Sequence, residues 1–267
     1  MRIGNKELAD NKTHVMGILN VTPDSFSDGG RFVTMDKLIA HVDKMIQDGA
    51  AIIDVGGEST RPGYTMISDD EEISRVVPAI EAIKARKDIL VSIDTYKSAV
   101  AEAAICAGAD MVNDIWGLQY DRKMYKMIKQ YDVSVTITHN KNKTQYNNFE
   151  KDVLVELKHL ADMAEQNGIL REKIILDPGV GFAKTVEQNL LAIKNIGEFT
   201  KLGYPILLGT SRKSVIGNTL SLPVNERLEG TLATTALAVQ NDVRFVRVHD
   251  VKENVRLIKM LEAIKEA

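Results

Sequence analysis

Eight short apolar runs in this sequence each end in side chains able to do chemistry. Asn20 closes the first run, and Gly56, Gly57 and Glu58 close the second, ahead of Ser59, Thr60, Arg61, Pro62 and Gly63. Asp94 ends the third, Asn113 and Asp114 the fourth, and His139 and Asn140 the fifth. Asp177 ends the sixth, Ser211, Arg212 and Lys213 the seventh, and Arg247 and His249 the eighth. Any one of these residues serves as readily as a helix cap or a turn residue. Capping does not account for all eight together.

Asp94 and Asp177 directly follow apolar residues, so each carboxylate is expected to be partly buried, and a buried acid needs a partner. Lys213, Arg247, Arg61 or a ligand with paired N–H donors would serve, because a carboxylate accepts two parallel hydrogen bonds. A heterocycle with a ring N–H beside an exocyclic amine fits such an acceptor, and Asn113 adds donors and an acceptor for a mixed edge. The ligand expected is base-like or pterin-like. Ser211 to Ser214 precede a short helical turn, Val215 to Gly217, whose free N–H groups attract phosphate or carboxylate. Arg61, Lys213, Arg247 and His249 add positive charge at the same place, as an anionic substrate requires. The loop from Asn20 to Gly30 is long and polar with Phe26 at its tip, which predicts a lid. His14, His41 and His159 fall elsewhere and read as structural or surface residues. No HxH or HExxH spacing surrounds His139, so a transition-metal site is not expected.

The chain that must position these groups has 267 residues, 44% hydrophobic and 27% charged, the balance of a soluble globular protein. A net charge of −3 gives no general pull toward nucleic acid or an anionic membrane. The single cysteine, Cys106, excludes an internal disulfide framework and favours a reducing cytoplasm. No run approaches the roughly 18 apolar residues of a membrane span, and Met1 to Thr13 is too polar for a signal peptide.

Strands are expected at Val15 to Val21, Ile52 to Gly56, Leu90 to Thr95, Met111 to Ile115, Ser134 to His139, Ile174 to Asp177, Ile206 to Thr210 and Phe245 to His249. Helical periodicity lies between them, as at Leu38, Ile39, Val42, Met45 and Ile46. Eight strand–helix units of this kind predict an α/β fold, a single (β/α)8 TIM barrel, with an open doubly wound sheet as the competitor. Residues 1–13 stand as an N-terminal extension of no evident purpose, ahead of one barrel domain at 14–267. Asn140 to Phe149 and Ser27 to Thr34 are both expected to be mobile loops.

The motifs MGILNVTPDSFSDGG (Met16 to Gly30), DVGGESTRPG (Asp54 to Gly63), SIDT (Ser92 to Thr95), VNDI (Val112 to Ile115), DPGVGFAK (Asp177 to Lys184), GTSRKSVIG (Gly209 to Gly217) and VRVHDV (Val246 to Val251) closely resemble those of the bacterial dihydropteroate synthase family. The resemblance implies a TIM barrel that joins 6-hydroxymethyl-7,8-dihydropterin diphosphate to p-aminobenzoate with release of pyrophosphate and use of Mg²⁺. That is the step of folate synthesis which sulfonamides block. It further implies a pterin site of Asp94, Asn113, Ile115, Asp177, Gly181 and Lys213, and diphosphate contacts at Thr60, Arg61, Arg247 and His249. Aminobenzoate would lie among Phe26, Thr60, Pro62, Phe182, Lys213 and Ser214, with Asn20 as the Mg²⁺ ligand and Asp94, Lys213 and Arg61 as the catalytic set. Thr138 departs from the methionine usual before the histidine of that motif, which puts an apolar contact in the pterin pocket in question. A homodimer through the last helices is implied too. The alternatives are a pterin-binding methyltransferase barrel, which has no need of Asn20, Arg61 and the SRKS segment, and a barrel that binds pterin without catalysis.

Overall fold

The computed structural model describes residues 1–21, 31–58 and 66–267. A short antiparallel hairpin of β1 (Arg2–Ile3) and β2 (Lys6–Glu7) comes first. Among the described residues, eight parallel strands then form one sheet: β3 (His14–Asn20), β4 (Ile52–Gly56), β5 (Leu90–Asp94), β6 (Met111–Asp114), β7 (Ser134–Thr138), β8 (Ile174–Asp177), β9 (Leu207–Leu208) and β10 (Phe245–Val248). Their spatial order runs β8-β7-β6-β5-β4-β3-β10-β9, and a parallel bridge between Leu176 and Ile206 joins the two ends. The sheet is therefore a closed barrel and not the open doubly wound alternative.

The α-helices of the described residues are α1 (Arg31–Gln47), α2 (Asp69–Arg86), α3 (Ser98–Cys106), α4 (Lys123–Tyr131), α5 (Phe149–Gln166), α6 (Val186–Lys194), α7 (Ile196–Thr200), α8 (Ser214–Leu220), α9 (Leu228–Gln240) and α10 (Val251–Glu266). α1 begins inside the stretch expected as a loop at Ser27 to Thr34. Side-chain caps fix where several helices start: Ser68 accepts from the Glu71 N–H, Asn148 from Lys151, and Thr185 forms a reciprocal capping box with Gln188.

Strand alternation sorts the side chains into two sets. Val15, Ile53, Val55, Val91, Ile93, Val112, Val135, Ile137, Ile174, Leu176, Val246 and Val248 belong to the large apolar layer beneath the helices. Met16, Ile52, Leu90, Met111, Ile175, Leu207 and Phe245 form a separate cluster that fills the barrel's amino end. Ile3 completes that cluster from the β1–β2 hairpin. The N-terminal extension, for which the sequence offers no evident purpose, thus seals the floor of the barrel. Ile3 is 0% exposed, a burial worth about 1.5–3 kcal/mol.

β4 and β8 have the expected bounds and the other six barrel strands differ by one or two residues at an end, two of them for visible reasons. β6 stops at Asp114 because that carboxylate accepts the N–H groups of Trp116 and Leu118 and turns the chain. β9 is confined to Leu207–Leu208, and Thr210 beyond it is occupied with Thr234. The connection from Asn140 is also held more firmly than its polarity implies: the Tyr146 hydroxyl donates to the Ala183 carbonyl, and the Tyr146 ring packs edge-on against Phe149.

Candidate active site

At the carboxyl end of the barrel, alternation reverses the chemistry of the inward positions. Two residues beyond Ile52 stands Asp54, two beyond Met111 stands Asn113, two beyond Ile175 stands Asp177, and two beyond Phe245 stands Arg247. Asp54, Asp94, Asn113 and Asp177 are all buried. The Arg247 guanidinium bonds Asp54 through Nε and Asp94 through Nη2, and Asn113 donates to Asp54 Oδ2 at 3.2 Å. Asp177 accepts the Gly179 N–H at 2.7 Å. Lys213 donates to the Val180 carbonyl, and its ammonium lies 4.7 Å from the centre of the Phe182 ring.

Two features leave this cluster open toward a ligand. Asp54 Oδ1 and Asp94 Oδ1 are buried with no protein partner. Gly209 keeps one corner clear: a Cβ there would meet Asp177 Oδ2 and Lys213 Nζ at 3.8 Å and Arg247 Cβ at 3.9 Å. Burial pushes the Asp94 carboxyl up to about 7 against the pull of Arg247, and raises Asp177 against that of Lys213. Burial also pushes the Lys213 ammonium down to about 8. Burial works against the charge on Arg247 as well, but Asp54 and Asp94 outweigh it and hold the guanidinium protonated. The result is a ring in which Asp94, Asp177 and Lys213 are costly to keep ionised until a polar ligand completes their hydrogen bonding.

Of the residues expected from the sequence, Asp94, Asn113, Asp177, Lys213 and Arg247 lie in this cluster. Asn20 ends β3 with its side chain exposed, and both Asn20 Oδ1 and Asp94 Oδ2 flank Gly56. Ile115 is buried, and its carbonyl accepts from Asn140 at 3.0 Å. Gly181, at φ +90°, donates to Asn189 Oδ1 at 2.6 Å, and a Cβ at that position would come 3.1 Å from Lys213 Cδ. Ser214 is the first residue of α8. His249 is tied to Ser211, whose hydroxyl accepts the His249 backbone N–H at 3.1 Å and shares a hydrogen bond with its ring Nδ1 at 3.0 Å. Phe26, Thr60, Arg61 and Pro62 lie outside the described residues. Thr138 is paired in register with Asp177, and its hydroxyl is buried without a protein partner.

The structure adds residues that sequence reasoning misses. Asp54 joins Arg247 to Asn113, and its signal was a charged residue inside the apolar run IIDVG. Lys97 is buried between Glu58 at 3.2 Å and Glu72 at 2.7 Å, and it also donates to the Ile67 carbonyl. Glu58 accepts the Ile67 N–H and the Tyr96 hydroxyl, so this cluster ties together the chain on either side of 59–65. Nothing local marked Lys97 for that role.

Similarity to known proteins decides what such a mouth belongs to. Residues 16–249 match the family described as pterin binding enzyme. A dihydropteroate synthase of Clostridium beijerinckii is 56% identical over 266 residues, covering 99% of both chains. The chain belongs to the dihydropteroate synthase family of pterin-binding enzymes. A crystal structure of that synthase from Clostridium difficile, determined in the presence of pteroic acid, superposes with a TM-score of 0.93 at 50% identity and covers 97% of this chain and 98% of that one. The Xanthomonas albilineans dihydropteroate synthase with 4-aminobenzoic acid gives 0.92 at 35% identity, covering 97% and 96%. The activity is that of a transferase of folate biosynthesis, condensing 6-hydroxymethyl-7,8-dihydropterin diphosphate with p-aminobenzoate to 7,8-dihydropteroate and pyrophosphate.

Proposed function

We propose that the buried acids of the mouth read the pterin and that the cations around them draw off the diphosphate. The observation that carries this is the pair of buried carboxylate oxygens, Asp54 Oδ1 and Asp94 Oδ1, with no protein donor beside an amide, a lysine and an arginine. Asp177 and Asn113 hold the pyrimidine edge, where a ring N–H and an exocyclic amine meet one carboxylate. Asp94 and Lys213 take the remaining polar ring atoms, with Ile115 and Gly181 against its faces. Thr60, Arg61, Arg247 and His249 hold the diphosphate. Aminobenzoate stacks among Phe26, Pro62, Phe182 and the stem of Lys213, with its carboxylate at Thr60 and Ser214.

In this reading the bond from the exocyclic CH₂ to the diphosphate oxygen breaks, and the electron pair leaves with pyrophosphate. The positive charge left on the CH₂ spreads into the electron-rich dihydropterin, where Asp94 stabilises it. Arg61 and Lys213 favour the departing charge. The arylamine nitrogen then bonds to the CH₂ and loses a proton. No side chain acts as a nucleophile.

Mg²⁺ fits the donors present. Asn20 offers one exposed amide oxygen, and among the described residues no three His, Cys, Asp or Glu side chains cluster to form a metal cage. A hard cation that keeps most of its waters and is shared with phosphate needs no more protein than that. When bound, it supplies charge neutralisation on the leaving group.

Residues 14–267 constitute the pterin-binding domain, with 1–13 closing its floor. Exposed Leu237 on α9 and exposed Met260 and Ile264 on α10 support a homodimer through the last helices. The exposed thiol of Cys106 supports a cytoplasmic location. Among the described residues no helix is long and apolar enough to cross a membrane. The test is a pyrophosphate assay in which each component is omitted in turn. Release is expected only with Mg²⁺, pterin diphosphate and p-aminobenzoate together, and release that ignores the amine would overturn the assignment of roles.

A further inference from the structure

Behind one wall of the mouth lies a half-buried lysine that the proposed chemistry does not use. Lys184 stands immediately before Thr185, the cap of α6, at the end of the connection from β8. Its ammonium meets the Gly179 carbonyl at 3.0 Å, the Phe182 carbonyl at 3.1 Å, the His139 carbonyl at 3.2 Å and His139 Nδ1 at 2.9 Å. An ammonium has no lone pair, so Nδ1 accepts and the ring proton sits on Nε2, which donates to Glu156 Oε2 at 2.8 Å. Lys141 holds Glu156 from the far side, at 2.9 and 3.0 Å.

The connection this hub gathers has almost no regular structure, yet several of its backbone groups are held by side chains from elsewhere. The Val180 carbonyl takes Lys213, the Ala183 carbonyl takes the Tyr146 hydroxyl, and the Gly179 and Gly181 N–H groups take Asp177 and Asn189. A Cβ on Gly179 would stand 2.0 Å from the His139 carbonyl oxygen, so the two connections approach backbone to backbone. Three carbonyl dipoles converge there from two connections. Only a shared donor can satisfy them without mutual repulsion.

We propose that Lys184 is a positioning residue for the aminobenzoate subsite: by stitching the β8–α6 connection to the end of β7, it fixes Phe182 over Lys213. The inference rests on the reading of that subsite given above. It separates the two substrates, because Asp177 and Asn113 are set by the strand ladders of β8 and β6. Phe182 depends on the connection alone: its N–H bonds Gly179 and its carbonyl bonds Lys184.

The experiment is steady-state kinetics of Lys184→Met and Tyr146→Phe beside the wild type, with calorimetric binding of 6-hydroxymethylpterin and a crystal structure of Lys184→Met. Lys184→Met is expected to raise the KM for p-aminobenzoate about 10-fold, as loss of orientation does, while kcat falls less and pterin affinity stays within about 2-fold. Tyr146→Phe, which removes one hydrogen bond from the same connection, is expected to raise the same KM about 2- to 3-fold. An unchanged KM in either folded variant, an equal loss of pterin affinity, or a Phe182 ring still in place over Lys213 in Lys184→Met would overturn the proposal. A wild type that releases pyrophosphate without the amine would sink the subsite reading instead, and the position of Phe182 would still decide what Lys184 does.

Discussion

The two ends of one barrel solve opposite problems. At the floor, seven inward side chains from the strands meet Ile3 in an apolar cluster. At the mouth, the same strands, two residues further on, turn Asp54, Asn113, Asp177 and Arg247 inward. Among the described residues, the buried side-chain oxygens left without partners all lie on β4, β5 and β7: Asp54, Ser92, Asp94, Ser134, Thr136 and Thr138. The floor gains free energy on folding, while the mouth leaves Asp54 Oδ1, Asp94 Oδ1 and the Thr138 hydroxyl open to a ligand; Ser92 and Ser134 lie lower, in register with Met111. Stability and function are therefore separable by position along a single strand.

The largest effect that would break this separation comes from the mouth. Lys213→Ala is expected to lower kcat/KM about 10²- to 10³-fold, the usual effect of removing a preorganised charge from a reacting centre. Assays with both substrates varied would check it, with Cys106→Ala as an unaffected control, and normal kinetics in the lysine variant would merge the two ends. From the floor, Ile3→Ala is expected to cost about 2–4 kcal/mol in urea unfolding with kcat/KM unchanged at temperatures where it stays folded. A loss of activity out of proportion to the unfolded fraction would show that the floor reaches the site.

A smaller effect sharpens the contrast through pH. Burial raises the folded-state pKa of Asp94 to about 7, so its anion, the proposed acceptor of a pterin N–H, is lost as pH falls through 7. Lys213, pushed down to about 8, loses its charge above that. Pterin affinity measured by calorimetry is thus expected to be highest between these values and to fall by about 5-fold from pH 7 to 6, with Asp94→Asn flattening the acidic limb. The linkage to folding has the opposite sense. A carboxyl whose pKa is raised on folding stabilises the protein at low pH, and that contribution is lost as pH rises from the ordinary carboxylate range toward 7.

Much of the mouth was legible because β/α alternation assigns a place to any polar residue that ends an apolar run. Asp94, Asn113, Asp177, Lys213 and Arg247 follow from that rule alone. Asp54 was missed because it sits inside its run, although its parity with Ile52 and Gly56 aims it inward. Lys184 and Lys97 were not legible, since the side chains that meet them, His139 and Glu72, stand 45 and 25 positions away. Arg247 was one of several partners offered for a buried acid, but the sequence gives no sign that two carboxylates claim its guanidinium together. The N-terminal extension looked idle because a single fully buried residue, Ile3, anchors it, with Met1 and Leu8 packed beside the same cluster, and periodicity cannot be read from a two-residue strand.

The ring of strands is sewn unevenly. β4 is in register with β5 over five residue pairs, whereas β8 meets the β9 edge through one bridge, Leu176 to Ile206. The side chains on either flank of that thin joint are Asp177 and, five residues past β9, Lys213. Small relative shifts of those two walls consequently disturb few ladder bonds, so the cleft between this acid and this amine is the part of the ring best able to adjust its width to a bicyclic guest.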